Sequence, residues 1–364
     1  MEREELQKYL GTGDMSVVEA MQKIDRNAKG VLYITDEQGK LLGSLTDGDI
    51  RRWIIKTADL DGRASDMMHR GFCSLPAGEQ GRAMGLMEQC QINSIPITGP
   101  KGQVIDIVIK SGLPGKEGSK REDALRGIPV IVMAGGKGTR LYPFTKILPK
   151  PLIPIGDVPI LERILDAFFQ YGANEFYLMV NYKKEMIRSY FHGQKVPYRL
   201  HYVDEDRPLG TAGSIGYIDE EFHSPVVITN CDTLIESDYG EIMGHHKGCG
   251  NGMTVVSSLK NTTIPYGVIH SKGDGLVSDI EEKPKLSYFI NTGMYIVDPE
   301  YLQEIPKGEF FHMTDLAAKL IREGVQVGMY PISENSFLDM GEFEEMKKME
   351  ERINGRQTEA WGNG

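Results

Sequence analysis

Apolar residues recur along the chain with two periods. Val17, Val18, Met21 and Ile24 fall at helical spacing and predict a helix over Ser16–Arg26. The short apolar run Val31–Thr35 predicts a strand. A turn at Asp36-Glu37-Gln38-Gly39 leads to a second strand, Leu41–Leu45, and Asp49–Lys56 opens another helix. The pattern then repeats: helix at Gly81–Gln91, strand at Ser94–Ile97, turn at Gly99-Pro100-Lys101-Gly102, strand at Val104–Ile109. This is an internal repeat of roughly sixty residues.

The segment Ser111–Asp123 breaks the pattern. It is polar, glycine-rich and without period, and it reads as a linker. Beyond it, strands are expected at Ile128–Met133, Phe176–Val180, Tyr198–Val203, Val226–Thr229, Met253–Ser258, Tyr288–Val297 and Val325–Tyr330. Helices are expected at Ile160–Tyr171, Lys184–Phe191, Thr314–Glu323 and Glu342–Gly355. Strand–helix alternation predicts a mostly parallel sheet covered on both faces. The expected fold is therefore α/β: a Rossmann-like mixed sheet preceded by a small α/β pair. The division expected is residues 1–58 and 59–112 for the two repeats, 113–126 for the linker and 127–364 for the main domain.

Composition narrows the class. The chain has 364 residues, 40% of them hydrophobic, and a net charge of −11. That length supports a core without disulfide or metal staples. The acid excess excludes a general nucleic-acid binder. No apolar run approaches the roughly 18 residues of a membrane span, and Met1-Glu2-Arg3-Glu4-Glu5 is no signal peptide. Cys73, Cys90, Cys231 and Cys249 are scattered, without CxxC spacing, as expected of reduced cysteines in a cytoplasmic protein. The charge is uneven. Between Ala124 and Gly156 there is no acidic residue, while Arg126, Lys137, Arg140, Lys146 and Lys150 all fall inside. Such a window in an acidic chain predicts an anion site.

The same window holds a glycine-rich loop, Ala134-Gly135-Gly136-Lys137-Gly138-Thr139-Arg140-Leu141-Tyr142-Pro143, directly after a predicted strand. Glycines there let backbone N–H groups approach a phosphate. The loop is not a dinucleotide fingerprint, because Leu141 stands at the third glycine position. It is not a P-loop either, because no Gly-Lys-Ser/Thr follows. Lys150, between Pro149 and Pro151, is a stiffly held cation of the kind that charge stabilisation at a phosphate requires.

This stretch, with Pro149-Lys150-Pro151-Leu152-Ile153-Pro154 and Pro159, resembles the signature of sugar-1-phosphate nucleotidylyltransferases, and the resemblance runs to about Glu351. It implies the nucleotidyltransferase fold and an active site dependent on Mg²⁺. By that resemblance Ala134, Gly135, Gly136, Gly138, Thr139, Arg140, Lys150, Gly210 and Thr211 bind the nucleoside triphosphate. Arg140, Lys150 and Lys283 are catalytic. Thr233, Gly267, Glu282, Lys283, Asn291 and Thr292 bind the sugar phosphate. Asp232 and Asp339 hold the metal. Phe337-Leu338-Asp339-Met340-Gly341 departs from the family pattern, which more often has Trp at position 337 and Thr at position 342. Within the family, the Leu209–Ser214 loop and the N-terminal region look most like guanylyltransferases, with GTP as nucleotide, and among them those making GDP-glucosamine for legionaminic acid. Mannose- and heptose-1-phosphate guanylyltransferases and glucose-1-phosphate thymidylyltransferases are the rivals.

Gly43-Ser44-Leu45-Thr46-Asp47-Gly48-Asp49-Ile50-Arg51-Arg52 resembles the closing motif of a CBS domain. That implies an adenosine nucleotide, AMP or ATP, held by Thr46 and Asp49. The second repeat reads Ile107-Val108-Ile109-Lys110 at the matching place, so one site of the pair is lost. The alternative is a dimerising module, and CBS pairing implies a homodimer or larger homo-oligomer. Two other features carry less. Asp204-Glu205-Asp206 matches the Asp-x-Asp of metal-dependent glycosyltransferases but is expected to be an exposed acidic turn. His245-His246 lacks zinc spacing and reads as a helix end and loop.

Overall fold

The computed structural model describes residues 3–27, 29–110 and 123–361, with side chains of the last helix described to Ile353. The chain divides into two compact units. The described residues up to Lys110 group with Leu259–Phe289, and the remainder forms the second unit.

In the first unit, β1 (Leu10–Thr12), β2 (Val31–Thr35) and β3 (Leu41–Thr46) form one three-stranded sheet. β4 (Leu75–Pro76), β5 (Ser94–Thr98) and β6 (Val104–Ile109) form another. The two copies of the repeat meet through equivalent turns. Gly39 and Gly102 have the same φ of 78°. The Leu41 N–H donates to the Gly102 carbonyl and the Val104 N–H to the Gly39 carbonyl, each at 3.0 Å. Thr46 caps helix Asp47–Thr57, two residues earlier than the apolar pattern suggested.

The second unit is built on a seven-stranded sheet. β7 (Val130–Ala134) runs into the glycine-rich loop, and two short strands follow, β8 (Pro154–Ile155) and β9 (Val158–Pro159). Then come β10 (Glu175–Val180), β11 (Arg199–Asp204), β12 (Val226–Asn230), β13 (Thr233–Ile235) and β14 (Met253–Thr263). A hairpin, β15 (Gly267–Ser271) with β16 (Val277–Glu282), precedes β17 (Lys285–Val297), β18 (Val327–Ile332) and β19 (Phe337–Asp339). The sheet order is β11-β10-β7-β12-β17-β14-β18. β11, β10, β7 and β12 are mutually parallel, and β17 enters antiparallel to β12.

Alternate residues of each central strand serve two cores. Val130, Val132, Phe176 and Leu178 pack on one face, and Ile131, Tyr177, Met179 and Ile228 on the other. A strand buried on both faces reads as a continuous apolar run, which is why these strands were predictable. After β7 the chain crosses to β10 and β11 on one side, then returns to β12 on the other. The C-terminal ends of β7 and β12 therefore flank a topological switch point, where open α/β sheets bind ligands.

Three expectations change. Of the expected linker at 113–126, residues 113–122 lie outside the described residues. Leu125 is no linker residue: it is buried in the second unit's core, and its N–H donates to the Tyr171 carbonyl at 2.7 Å. The domain expected at 127–364 is interrupted, because Leu259–Phe289, which holds the β15–β16 hairpin, groups with the first unit. The His245-His246 region is a helix end, as expected, but without the loop: both residues lie in the second half of helix Tyr239–Cys249. Its three internal glycines, at 240, 244 and 248, hid the helical pattern.

Candidate active site

The glycine-rich loop leaves β7 at Ala134, which is buried under the loop rather than facing a cavity. Gly138 has φ 62°, and a Cβ there would lie 2.9 Å from Thr145 Cγ2 and 3.1 Å from Lys150 Cβ. Only glycine therefore lets the loop close over Lys150. Thr145 Oγ1 donates to the Gly138 carbonyl at 2.8 Å and fixes that closure. Lys150 opens a 3₁₀ turn after Pro149, and the Leu152 N–H donates back to the Pro149 carbonyl at 2.9 Å. The turn aims the ammonium at Asp232, just beyond the end of β12, and the two form an ion pair.

Asp339 reaches the same place from β19. β13 and β19 pair antiparallel with Thr233 opposite Asp339, and the Met340 N–H donates to the Asp232 carbonyl at 2.9 Å. Burial raises the Asp339 carboxyl above its ordinary value, and the Asp232 charge raises it further, against Lys150 and Arg140. Two carboxylates and a lysine thus converge at the switch point. Among the described residues no group of three or more His, Cys, Asp or Glu is gathered for a metal. A pair of carboxylates with room for phosphate oxygens is the donor set that Mg²⁺ uses, rather than an all-protein cage.

A cavity of about 820 Å³ opens above these groups. It is lined by the predicted residues Gly135, Gly136, Gly138, Thr139, Arg140, Lys150, Gly210, Thr211, Asp232, Thr233, Asn291, Thr292 and Asp339. The Leu209–Ser214 wall is tightly packed. Gly210 has φ 82°, and a Cβ there would sit 2.5 Å from the Phe311 carbonyl oxygen. Of the other lining residues, Thr292 Oγ1 donates to the Val256 carbonyl at 2.8 Å, and Asn291 Nδ2 donates to Tyr295 Oη at 2.6 Å.

Gly267, Glu282 and Lys283 are not brought to this cavity. Gly267 and Glu282 pair in the β15–β16 hairpin of the first unit, Lys283 directly follows it, and all three are exposed. Their sequence motif is compatible with such a ribbon, whose strands are exposed almost throughout. Thr46 and Asp49 are elsewhere in the first unit and are engaged with each other. Asp49 Oδ2 accepts from the Thr46 N–H at 2.8 Å and from Thr46 Oγ1 at 2.6 Å, and Thr46 Oγ1 accepts from the Asp49 N–H at 3.2 Å. Arg52 donates to the other Asp49 oxygen at 2.6 Å. This is a capping box at a helix N-terminus.

Glu205 overturns the acidic-turn expectation. Asp204 does face solvent, where Lys184 and Arg188 hold it. Glu205 instead is 7% exposed and lines the cavity. Its Oε2 lies 2.7 Å from where a Gly135 Cβ would be, so the first loop glycine makes room for the carboxylate. Burial raises its pKa, and the neighbouring Ser214 opposes that. Sequence pattern missed Glu205, because an acid between two acids after a strand reads as a turn. Phe310 and His312 were also missed. Both line the cavity, with ring centroids 4.8 Å apart, and nothing in their spacing marks them.

Residues 129–355 match the nucleotidyl transferase family, over more than half of the chain. The chain belongs to that family. Residues 12–56 match the CBS domain. Among relatives, a UTP–glucose-1-phosphate uridylyltransferase of Synechocystis sp. is 33% identical over 215 residues, covering 54% of this chain and 55% of its own. A mannose-1-phosphate guanyltransferase of Schizosaccharomyces pombe is 31% identical over 184 residues, covering 48% and 51%. The chain spans about half the length of the curated relatives it matches. The crystal structure of HddC from Yersinia pseudotuberculosis, 24% identical, aligns with a TM-score of 0.50 over 62% of this chain and 99% of that one, a likeness of fold. Among the described residues no helix is long and apolar enough to cross a membrane.

Proposed function

We propose that the protein transfers a nucleotidyl group from a nucleoside triphosphate to a sugar-1-phosphate and releases pyrophosphate. The observation that carries this reading is the meeting of Lys150, Asp232 and Asp339 beneath a glycine-rich loop at the switch point of the sheet. Transfer between two polyanions needs positioning and charge stabilisation more than covalent help. In this reading the N–H groups of Gly135–Thr139 cradle the triphosphate and Arg140 offsets its β/γ charge. Lys150 stabilises the α-phosphoryl group. A phosphate oxygen of the sugar-1-phosphate attacks the α-phosphorus in line as the bond to the leaving pyrophosphate breaks. Thr233, Asn291 and Thr292 line the sugar side. Asp232 and Asp339 would hold Mg²⁺, which when bound offsets phosphate charge.

We further propose guanine as the base. A buried carboxylate at Glu205 accepts two adjacent donors well, and guanine offers them at N1 and N2. Uracil and thymine present one N–H between two carbonyl oxygens, which a carboxylate repels. The combined resemblance of both halves favours glucosamine-1-phosphate as acceptor, toward legionaminic acid, with mannose- and heptose-1-phosphate as the alternatives. In the first unit, the capping role of Thr46 and Asp49 favours a structural or dimerising module over an AMP or ATP site.

Pyrophosphate release measured over a panel of GTP, UTP, dTTP, ATP and CTP against glucosamine-, mannose-, heptose- and glucose-1-phosphate tests the reading. Release with GTP and one sugar phosphate is expected. Release with none of the pairs, but sugar transfer from a ready nucleotide sugar, would show a glycosyltransferase instead.

A further inference from the structure

Two of the four cysteines, seventeen positions apart, meet in the first unit. Cys73 stands two residues before β4, and Cys90 is the last residue of helix Ala83–Cys90. Their sulfurs are 2.6 Å apart, and both side chains are partly open to solvent. Rigid structure sets both positions. Leu75 of β4 pairs in register with Ile97 of β5, which fixes the backbone beside Cys73. Gln91 ends the helix in the left-handed conformation, and the Ile92 N–H donates to the Met87 carbonyl at 3.0 Å, which fixes the backbone beside Cys90. Leu75, Ala83, Met87, Ile95 and Ile97 form one buried cluster between the two ends. The thiols therefore meet because a packed core holds them there. The other two cysteines differ: Cys231 is buried next to Asp232, and Cys249 is exposed at the end of its helix.

We propose that Cys73 and Cys90 are an oxidation site at which hydrogen peroxide forms an intramolecular disulfide. One sulfur attacks the peroxide. The O–O bond breaks, and a sulfenic acid and water result. The second sulfur then attacks the sulfenic sulfur. An S–S bond forms, the S–O bond breaks, and a second water leaves. Each thiol gives up one electron and one proton, and the peroxide takes two of each. The contact with Cys90, and burial after it, hold the Cys73 thiol above its ordinary value. The disulfide closes a loop around the β4–helix unit and restricts its unfolded ensemble.

The experiment exposes the full chain to equimolar hydrogen peroxide and follows intact mass and peptides digested without reductant. The expected result is a mass loss of about 2 Da, a peptide joining Cys73 to Cys90, and full reversal by dithiothreitol. The melting midpoint of the first unit rises. In Cys73→Ser no cross-link forms, and dimedone traps a sulfenic acid on Cys90 while pyrophosphate release stays at the wild-type level. The proposal is overturned if both thiols remain alkylatable under peroxide that oxidises Cys249, or if the cross-link joins Cys231, Cys249 or a second chain.

Discussion

Lys150 forms an ion pair with Asp232 across 82 positions of sequence, joining the turn after the glycine-rich loop to the end of β12. Both side chains are largely withdrawn from water, at 14% and 20% exposure. The pair orders the cavity floor before any phosphate arrives, and an incoming phosphate competes with Asp232 for the ammonium.

Lys150→Ala should lower turnover by about 10²- to 10³-fold, the loss associated with removing a preorganised stabilising group. It also leaves Asp232 facing Asp339 without its cation, at a cost of about 1–3 kcal/mol in stability. Single-turnover kinetics and thermal unfolding of the variant measure the two effects. A variant that turns over at nearly the normal rate would remove Lys150 from the chemistry.

Gly138→Ala tests the loop closure. Its positive φ costs a side chain about 1 kcal/mol or more, and the new methyl group presses on Thr145 and Lys150. The expected result is a higher KM for the nucleotide with a smaller change for the sugar phosphate. Steady-state kinetics varying each substrate in turn would show it, and an equal rise in both would deny the loop its phosphate role.

Glu205→Gln tests the base. The amide offers a donor and an acceptor where the carboxylate offers two acceptors, so preference should move from GTP toward UTP or dTTP. The expected shift is about 10- to 100-fold, the discrimination of one bidentate pair. Unchanged preference would free Glu205 from base reading. The same variant carries a pH signature. Burial raises the Glu205 pKa in the folded protein above its unfolded value. The charged form is therefore disfavoured in the native state, and that cost is fully present above the folded pKa. It fades as pH falls through the folded pKa and is gone below the unfolded one. Glu205→Gln should accordingly be the more stable protein at neutral pH, and the two melting curves should converge at acid pH.

The legible part of this molecule was the part with buried strands. β7, β10 and β12 are apolar on both faces, so their runs stood out, and the glycine-rich loop followed the first of them. What escaped notice depends on tertiary approach. β13 and β19 have three residues each, too few to show a period, yet they set Asp339 against Asp232. Glu205 is defined by the missing side chain of Gly135, at a distance no spacing rule spans. Cys73 and Cys90 fit no spacing motif because their meeting follows from packing.

His246 shows the same limit and gives a last prediction. Its sequence pattern suggests a helix end and loop, but it is 1% exposed within the helix Tyr239–Cys249. Its Nδ1 lies 2.9 Å from Thr254 Oγ1 and its Nε2 3.1 Å from Asp298 Oδ1, joining the helix to β14 and to the end of β17. Asn251 Nδ2 donates to the same Thr254 hydroxyl at 2.9 Å and completes the network. His246→Ala leaves Thr254 and Asp298 without this partner and opens a cavity, so a loss of about 2–4 kcal/mol is expected. None of these residues lines the cavity, so turnover per folded molecule should be preserved. Chemical denaturation together with activity at low temperature separates the two effects. Unchanged stability would mean that the network contributes no net energy, and lost turnover in a folded variant would give His246 a role in the active site.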